Sequence, residues 1–537
     1  MIRKSGRSQP LTRAFDSRWE RNAVLTISAA LLLLHLWAVW SVLRIACDHD
    51  EAEYLHASWL MGQGLRIYRD FMEDHPPFFF RMLLLLAPAR VTNEFPLLDV
   101  PLWLARARIL SVFCGTAAAM SAGAAVARVT RNGLSGIVVA MLVAGSPWIW
   151  FRGILQARSD APALLFFWVG VVLLVWDEDV GLMPALRIGT GMALVVAAEL
   201  LNPKWPLCGL LIGAFFLVRV VSFVRADRRC LIGIFLPSIL IAIGFAVWLA
   251  STTTFSDFLF FNVTLKSSIV RWFRHSPAVA RVFRGMAPFG FCTTLARPAV
   301  VLMILLAVVG LLWRRRSAIP SMNLRGVLML VALVVAAAVE VRFVYPYPRL
   351  WPQYYLMWGF TAAVLAGIAL SLAQAAFPSV RGWLRAAGFL AGVVTAASCF
   401  LTVTSFRDDA GYAWRRMSSV QKSLRPGDTV WLDATEHPIG VRDASFFWYS
   451  EHDLVPAVID YIVRHPESAA YLPRSGDRDL PPCRILRGEL SSVLYLHGPV
   501  LDGLPESNGC IVQLERKGQL RRAFPGARFD VVRRNPF

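Results

Sequence analysis

The feature that most constrains this chain is a succession of long apolar runs between Ala23 and Ser405. The first, from Ala23 to about Ala46, is long enough to cross a hydrocarbon core of roughly 30 Å at about 1.5 Å per residue. It is also too long for the apolar core of a cleaved signal peptide, so it reads as a retained first helix. Further runs lie near 78–90, 103–127, 135–150, 161–176, 188–202, 206–224, 231–250, 298–313, 326–341, 353–373 and 386–405. Charged residues are 17% of the chain and hydrophobic residues 56%, against roughly 25% and 45–50% in soluble domains. These runs exclude a string of soluble domains and require an α-helical polytopic membrane protein.

The formal charge of +19 would point to a nucleic-acid binder in a soluble chain, but no basic domain is present to do that binding. Residues 407–537 hold 18 Lys and Arg against 17 Asp and Glu, so nearly all of the excess belongs to 1–406. Much of it reports topology. Arg128/Arg131, Arg225/Arg228/Arg229, Arg314 to Arg316 and Arg381/Arg385 are short basic clusters between apolar runs, which the positive-inside rule places in the cytoplasm with the basic N-terminus, 1–22. Residues 47–77, Asn202 to Trp205, 251–297, 342–352 and the whole of 407–537 then lie on the outer face. The short run 78–90 is re-entrant or merges with the next, giving about 11 crossings over 23–406 in an inner, cytoplasmic membrane.

From 407 onward apolar runs shorten and turn signals recur, as in Arg425-Pro426-Gly427-Asp428. Thr429 to Leu432 and Ser492 to Leu496 read as buried strands and Leu454 to Arg464 as a helix. This is a soluble C-terminal domain of mixed α/β type on the outer, periplasmic side. Cys483 and Cys510 could pair there in an oxidising compartment, or stand as two core thiols. Cys47, Cys114, Cys208, Cys230, Cys292 and Cys399 fall within or beside apolar runs, where a free buried thiol behaves as a small hydrophobe.

The densest polar constellation follows the first apolar run: Cys47-Asp48-His49-Asp50-Glu51-Ala52-Glu53-Tyr54, then Gly62-Gln63-Gly64 and Tyr68-Arg69-Asp70-Phe71-Met72-Glu73-Asp74-His75-Pro76-Pro77. Ala52, Leu55, Trp59 and Leu60 form one stripe, predicting an amphipathic helix from Asp50 to Met61 along the bilayer surface. Gly62 and Gly64 would end it, and Pro76-Pro77 would open the next helix. A solvated acidic loop is the plain reading, yet dense acids facing anionic lipid are unfavourable. A carboxylate at a membrane mouth is also a good general base for a hydroxyl.

Three further clusters lie at the ends of apolar runs. In Gln156-Ala157-Arg158-Ser159-Asp160, Arg158 and Asp160 form an ion pair or part of a site. In Leu201-Asn202-Pro203-Lys204-Trp205-Pro206, Lys204 beside a helix break either snorkels or meets a phosphate as a point charge. From Arg342 to Tyr355, Arg349, Gln353 and Tyr354 sit among aromatics that are an interfacial belt or the recognition surface for a lipid-linked anion. The segment 251–297 carries Lys266, Arg271, Arg274, His275, Arg281 and Arg284 against the positive-inside tendency, so either it binds an anion or the topology differs locally. Asn262-Val263-Thr264 matches a glycosylation sequon and receives no role.

The order of these motifs resembles the type-C glycosyltransferase superfamily, in particular the protein O-mannosyltransferases and the bacterial transferases that modify lipid A and lipopolysaccharide core. The likeness spans roughly 20–375: Asp-Glu after the first helix, Tyr-x-Asp-Phe, acidic-x-His-Pro-Pro, Arg-Ser-Asp, Asn-Pro-Lys, and Tyr-Tyr before a late helix. It implies transfer of a glycosyl group from a polyprenyl-phosphate sugar to a hydroxyl of a cell-envelope acceptor, with inversion. By position it makes Asp50 the catalytic carboxylate with Glu51 beside it, Glu73 and His75 the second part of the loop motif, and Asp160 the second acidic position. Asp48 competes with Asp50 as base, and Gln353 stands where the family often has His.

That chemistry gives each group a reason. The acceptor hydroxyl needs a base within hydrogen-bond reach. The oxocarbenium-like anomeric centre is stabilised by nearby carboxylates. The leaving polyprenyl phosphate needs fixed cations, for which Lys204, Arg158, Arg271, Arg274 and Arg349 are the candidates. The sequence identifies no certain cofactor; the loop carboxylates leave a divalent metal open, although the resemblance implies metal-independence, as is general in this branch. The expected partners are membrane lipid, the lipid-linked sugar donor and the acceptor, and no nucleic acid. The rival reading is a transporter or flippase for a lipid-linked or anionic substrate, whose site would lie near the bilayer midplane on interrupted helices. A scaffold presenting 407–537 would need no loop acids at all.

Overall fold

The computed structural model describes residues 49–71, 73, 75–88, 100–146, 149, 153–176, 181–265, 322–341, 355–405, 429–432, 492–497 and 529–532, with scattered helical positions between 22 and 37. Most of the first apolar run, the run 298–313, the 454–464 helix and the Cys483/Cys510 pair lie outside these residues. So do Asp48, Arg271, Arg274, Arg349 and Tyr354. The described chain is almost wholly helical. Two compact units divide it, one made of 1–43, 108–246 and 276–406, the other of 44–107, 247–275 and 407–537.

In chain order the helices are α1 (His49–Gly62), α2 (Phe78–Leu85), α3 (Val100–Thr130), α4 (Gly133–Ala144), α5 (Asp160–Leu174), α6 (Leu182–Leu201), α7 (Pro206–Ala226), α8 (Cys230–Thr252), α9 (Phe255–Leu259), α10 (Leu324–Val339), α11 (Leu356–Ala376) and α12 (Arg381–Ser405). A π-helical turn, Phe260–Leu265, follows α9. Five of these, α3, α6, α7, α8 and α11, are long and apolar enough to cross a membrane. Helix α2 has eight residues and reaches only about 12 Å, so the run at 78–90 does not cross as a helix.

In the first unit the helices approach through small residues. A Cβ on Gly123 would stand 2.4 Å from the Gly136 carbonyl oxygen, and one on Gly170 would stand 2.6 Å from that of Gly191. The α3/α4 and α5/α6 pairs therefore pack backbone to backbone, as membrane helices do when no hydrophobic drive separates them from lipid. The turn between α3 and α4 puts Arg131 at φ 53°. Asn132 then caps α4 by accepting from the Ser135 N–H, and its own amide donates to Gln374 Oε1 on α11 at 2.9 Å. Buried Ser371 of α11 donates to Ser135 at 2.8 Å. On α7 and α8, Leu210, Leu217, Ile232, Ile239 and Leu240 remain exposed, an apolar surface of the kind that faces lipid. Cys114, Cys208 and Cys230 are free and buried.

In the second unit α2 begins at Phe78 with Pro77 at its N-cap position. Trp103 at the start of α3 donates its indole N–H to the Leu83 carbonyl at 2.8 Å, and Phe78 packs on Trp248 with ring centroids 4.6 Å apart. A three-stranded sheet is formed by β1 (Thr429–Leu432), β2 (Ser492–His497) and β3 (Phe529–Val532). Strand β2 is central, parallel to β1 and antiparallel to β3.

Helix α1 departs from the sequence expectation. It forms where the pattern placed it and ends at Gly62, with Gly64 at φ +83° in the turn beyond. It does not, however, lie along a surface with one face in water. Every residue from Glu51 to Met61 is buried, polar and apolar alike. Glu51, Glu53, His56 and Ser58 share the interior with Leu55, Trp59 and Leu60. Such burial is tolerated only where the polar groups find partners; Ser58 donates to the Tyr54 carbonyl within the helix, and Glu53 faces His75 outside it.

Candidate functional site

The second unit gathers one polar cluster around the first loop. Within it, His75 Nδ1 stands 2.8 Å from Glu73 Oε1 and 3.8 Å from Glu53 Oε1. The His75 backbone N–H also points at Glu73 Oε1, at 3.2 Å. With Glu73 ionised, its carboxylate only accepts, which assigns the proton to Nδ1. The Tyr54 hydroxyl lies 3.2 Å from Nε2, and its ring meets the imidazole edge-on with centroids 5.0 Å apart. Tyr68 donates its hydroxyl proton to the His75 carbonyl at 2.7 Å. Glu73 is fully buried, and Tyr54 and Tyr68 are 0% exposed.

Asp50 and Glu51 occupy the first turn of α1, where carboxylates favour a helix N-terminus. The two differ in access: Asp50 is half-buried and Glu51 is completely buried. Asp50 is therefore the more reachable of the two carboxylates.

Glu53, Glu73 and His75 offer three ligand atoms within 4.8 Å of one another. One nitrogen and two carboxylate oxygens are a donor set that divalent zinc accepts, with ligand atoms about 3.3 Å apart around a tetrahedral ion. The Nδ1 to Glu73 separation of 2.8 Å is instead a hydrogen bond. The residue types therefore fit a metal, and binding one there would exchange that proton for the ion.

The first unit holds the second cluster, where two sequence motifs 44 residues apart become one. Asp160, at the first position of α5, accepts from Lys204 Nζ at 2.9 Å and Asn202 Nδ2 at 3.0 Å on one oxygen, and from Arg158 Nε at 3.4 Å on the other. Arg158 also donates to Gln156 Oε1 at 3.2 Å. Asp160 is 0% exposed, and Asn202, Arg158, Gln156 and Lys204 are all buried. Arg158 and Asp160, read from sequence as an ion pair or part of a site, belong to an interior network of two cations on one carboxylate, net positive. Asp160 is thus engaged on both oxygens.

Sequence reading missed Glu340. It caps the N-terminus of α7, which begins directly after Trp205: its Oε1 accepts the N–H groups of Leu207 and Cys208, the latter at 3.0 Å, and its Oε2 accepts the Cys208 thiol at 3.3 Å. Proline at the first helical position already spares one orphan N–H there. Glu340 satisfies the next two from a helix more than 130 residues away. A lone carboxylate closing an apolar run was the signal available. Tyr68, Tyr54 and Asn202 were quoted in the motifs without a role.

No family model matches the sequence, and no curated protein matches it. The structure is similar to the crystal structure of ArnT from Cupriavidus metallidurans bound to undecaprenyl phosphate, with a TM-score of 0.55 over 95% of this chain and 98% of that one. At 13% sequence identity, the likeness is one of fold: this chain is a multi-pass helical membrane protein with an ArnT-like architecture.

Proposed function

We propose that this protein is an integral-membrane glycosyltransferase that moves a sugar from a polyprenyl-phosphate donor to a hydroxyl of a cell-envelope acceptor, with inversion at the anomeric carbon. One observation carries the reading: the loop motif that prompted the resemblance folds into a hydrogen-bonded cluster of buried Tyr54 and Glu73 with part-buried His75, and Glu53 stands 3.8 Å from the imidazole, about one turn along α1 from the half-buried Asp50. A solvated acidic loop would not be buried. The fold likeness to a protein crystallised with undecaprenyl phosphate supports the same donor class.

In the proposed reaction Asp50 takes the proton of the acceptor hydroxyl as its oxygen bonds to the anomeric carbon. The bond from that carbon to the phosphate oxygen breaks, and the polyprenyl phosphate leaves with the electron pair. Buried Glu51 lends negative charge to the oxocarbenium-like centre. Arg158 and Lys204, held by Asp160 in the first unit, are candidate fixed cations for a lipid-linked phosphate. Arg271, Arg274, Arg349 and Tyr354 remain candidates for the same anion, and Asp48 for a share in the base. Where Glu53, Glu73 and His75 hold a divalent ion, it would add positive charge at the loop.

The test is reconstitution. Purified protein in lipid, given a polyprenyl-phosphate sugar fraction and envelope glycolipids, should add the mass of one sugar residue to an acceptor and release polyprenyl phosphate. Movement of intact lipid-linked sugar across the vesicle with no new glycoside would overturn the reading in favour of a flippase.

A further inference from the structure

The sequon Asn262-Val263-Thr264 received no role from the sequence, and its asparagine is built into the second unit in a specific way. Asn262 lies in the π-helical turn after α9 and is buried. Single π turns inside helices recur at functional sites because they shift a side chain out of helical register. The Asn262 amide nitrogen donates to the Phe258 carbonyl at 3.0 Å and to the Tyr68 hydroxyl at 2.8 Å. A carbonyl only accepts, which fixes the amide nitrogen on that side. The Tyr68 hydroxyl, taking that second proton, passes its own to the His75 carbonyl at 2.7 Å. The donors run in one direction, from Asn262 through Tyr68 to His75.

Tyr68 is held for this purpose at some conformational cost. It sits at φ 68°, in the left-handed region that aromatic residues rarely occupy, and its N–H bonds the Phe71 carbonyl at 2.9 Å. Its ring lies flat on Phe261, centroids 4.9 Å apart and planes 8° from parallel. Two neighbouring residues of the π turn, Phe261 and Asn262, therefore grip one side chain of the first loop. The far end of the grip is the backbone of His75, whose N–H and Nδ1 both address Glu73.

We propose that Asn262 and Tyr68 are positioning residues: a hydrogen-bonded latch that sets where His75 and Glu73 stand for the reaction. The proposal rests on the glycosyl-transfer reading. It also removes the sequon as a modification site, because the nitrogen that would carry a glycan is buried and committed to two hydrogen bonds.

The experiment compares Tyr68→Phe, which keeps the ring stack and removes only the hydroxyl, with Asn262→Ala and the double variant in lipid-reconstituted protein. Hydrogen exchange of the amides at 66–77 should quicken in each single variant. Transfer should lose about 10- to 100-fold in kcat with donor KM within about threefold, as expected when groups lining the reacting centre are misplaced. The double variant should be no slower than the worse single one, since both cut the same chain of bonds. Unchanged exchange in both single variants overturns the latch. Faster exchange with wild-type kcat, or losses that multiply in the double variant, overturns the positioning role. Absence of transfer by the wild-type protein instead overturns the glycosyl-transfer reading, and the exchange measurement then decides the latch alone.

Discussion

Replacing Asp160 by Asn isolates what the buried charge network contributes. The carboxylate is 0% exposed, and its two cations, Arg158 and Lys204, are 3% and 7% exposed, so solvent screening does little to soften the loss. Asp160→Asn keeps the size and one acceptor oxygen but leaves both cations uncompensated at 3.4 and 2.9 Å. Removing one partner of a buried pair costs about 3–5 kcal/mol, because the remaining charge keeps its desolvation penalty. Adding Lys204→Met removes one of the orphaned cations, so the double variant should recover about half of that loss. The two changes should therefore be strongly non-additive. Unfolding in detergent, followed by tryptophan fluorescence against denaturant, reads all three variants. Asp160→Asn within about 0.5 kcal/mol of wild type would refute the network, as would a double variant that is the simple sum of its parts.

Other consequences are local. Glu340→Ala strips two buried N–H groups of α7 of their acceptor and should cost about 2–3 kcal/mol, while Glu340→Gln retains an acceptor and should cost about 1, both read by the same unfolding measurement. Gly123→Ala forces a Cβ to 2.4 Å from the Gly136 carbonyl oxygen, a backbone atom that cannot step aside, and should cost at least about 2 kcal/mol. Gly244→Ala in α8 meets nothing within 4 Å and should be neutral or gain up to about 1 kcal/mol; equal losses at the two glycines would contradict the packing described.

The elements with strong local signals were legible. The runs at 206–224 and 231–250 became α7 and α8 within two residues at each end, because sustained apolarity alone defines such helices. The expectation at Thr429 to Leu432 coincides with β1. Burial was less legible than secondary structure. The stripe of Leu55, Trp59 and Leu60 implied a half-buried α1, since Glu53 and His56 read as a wet face when their neighbours along the chain are all that is known. The partner of Glu53, His75, is 22 residues on, and only the fold brings them together. The same holds for Asp160 and Lys204, each visible as a polar break in an apolar run but not visible as a pair. Glu340 was hidden for a related reason. Two of its three hydrogen-bond partners are backbone N–H groups, which leave no mark in the sequence, and the third is the thiol of Cys208, 132 residues away.

The central claim is that Asp50 takes a proton during sugar transfer. Lipid-reconstituted Asp50→Asn, a near-isosteric change at a half-buried position, can be compared with wild type in a single-turnover assay with labelled polyprenyl-phosphate sugar, donor binding being measured in the same sample. The account predicts unchanged donor affinity and transfer slowed by about 10²- to 10⁴-fold. Transfer at the wild-type rate by a folded, donor-binding Asp50→Asn protein would contradict it.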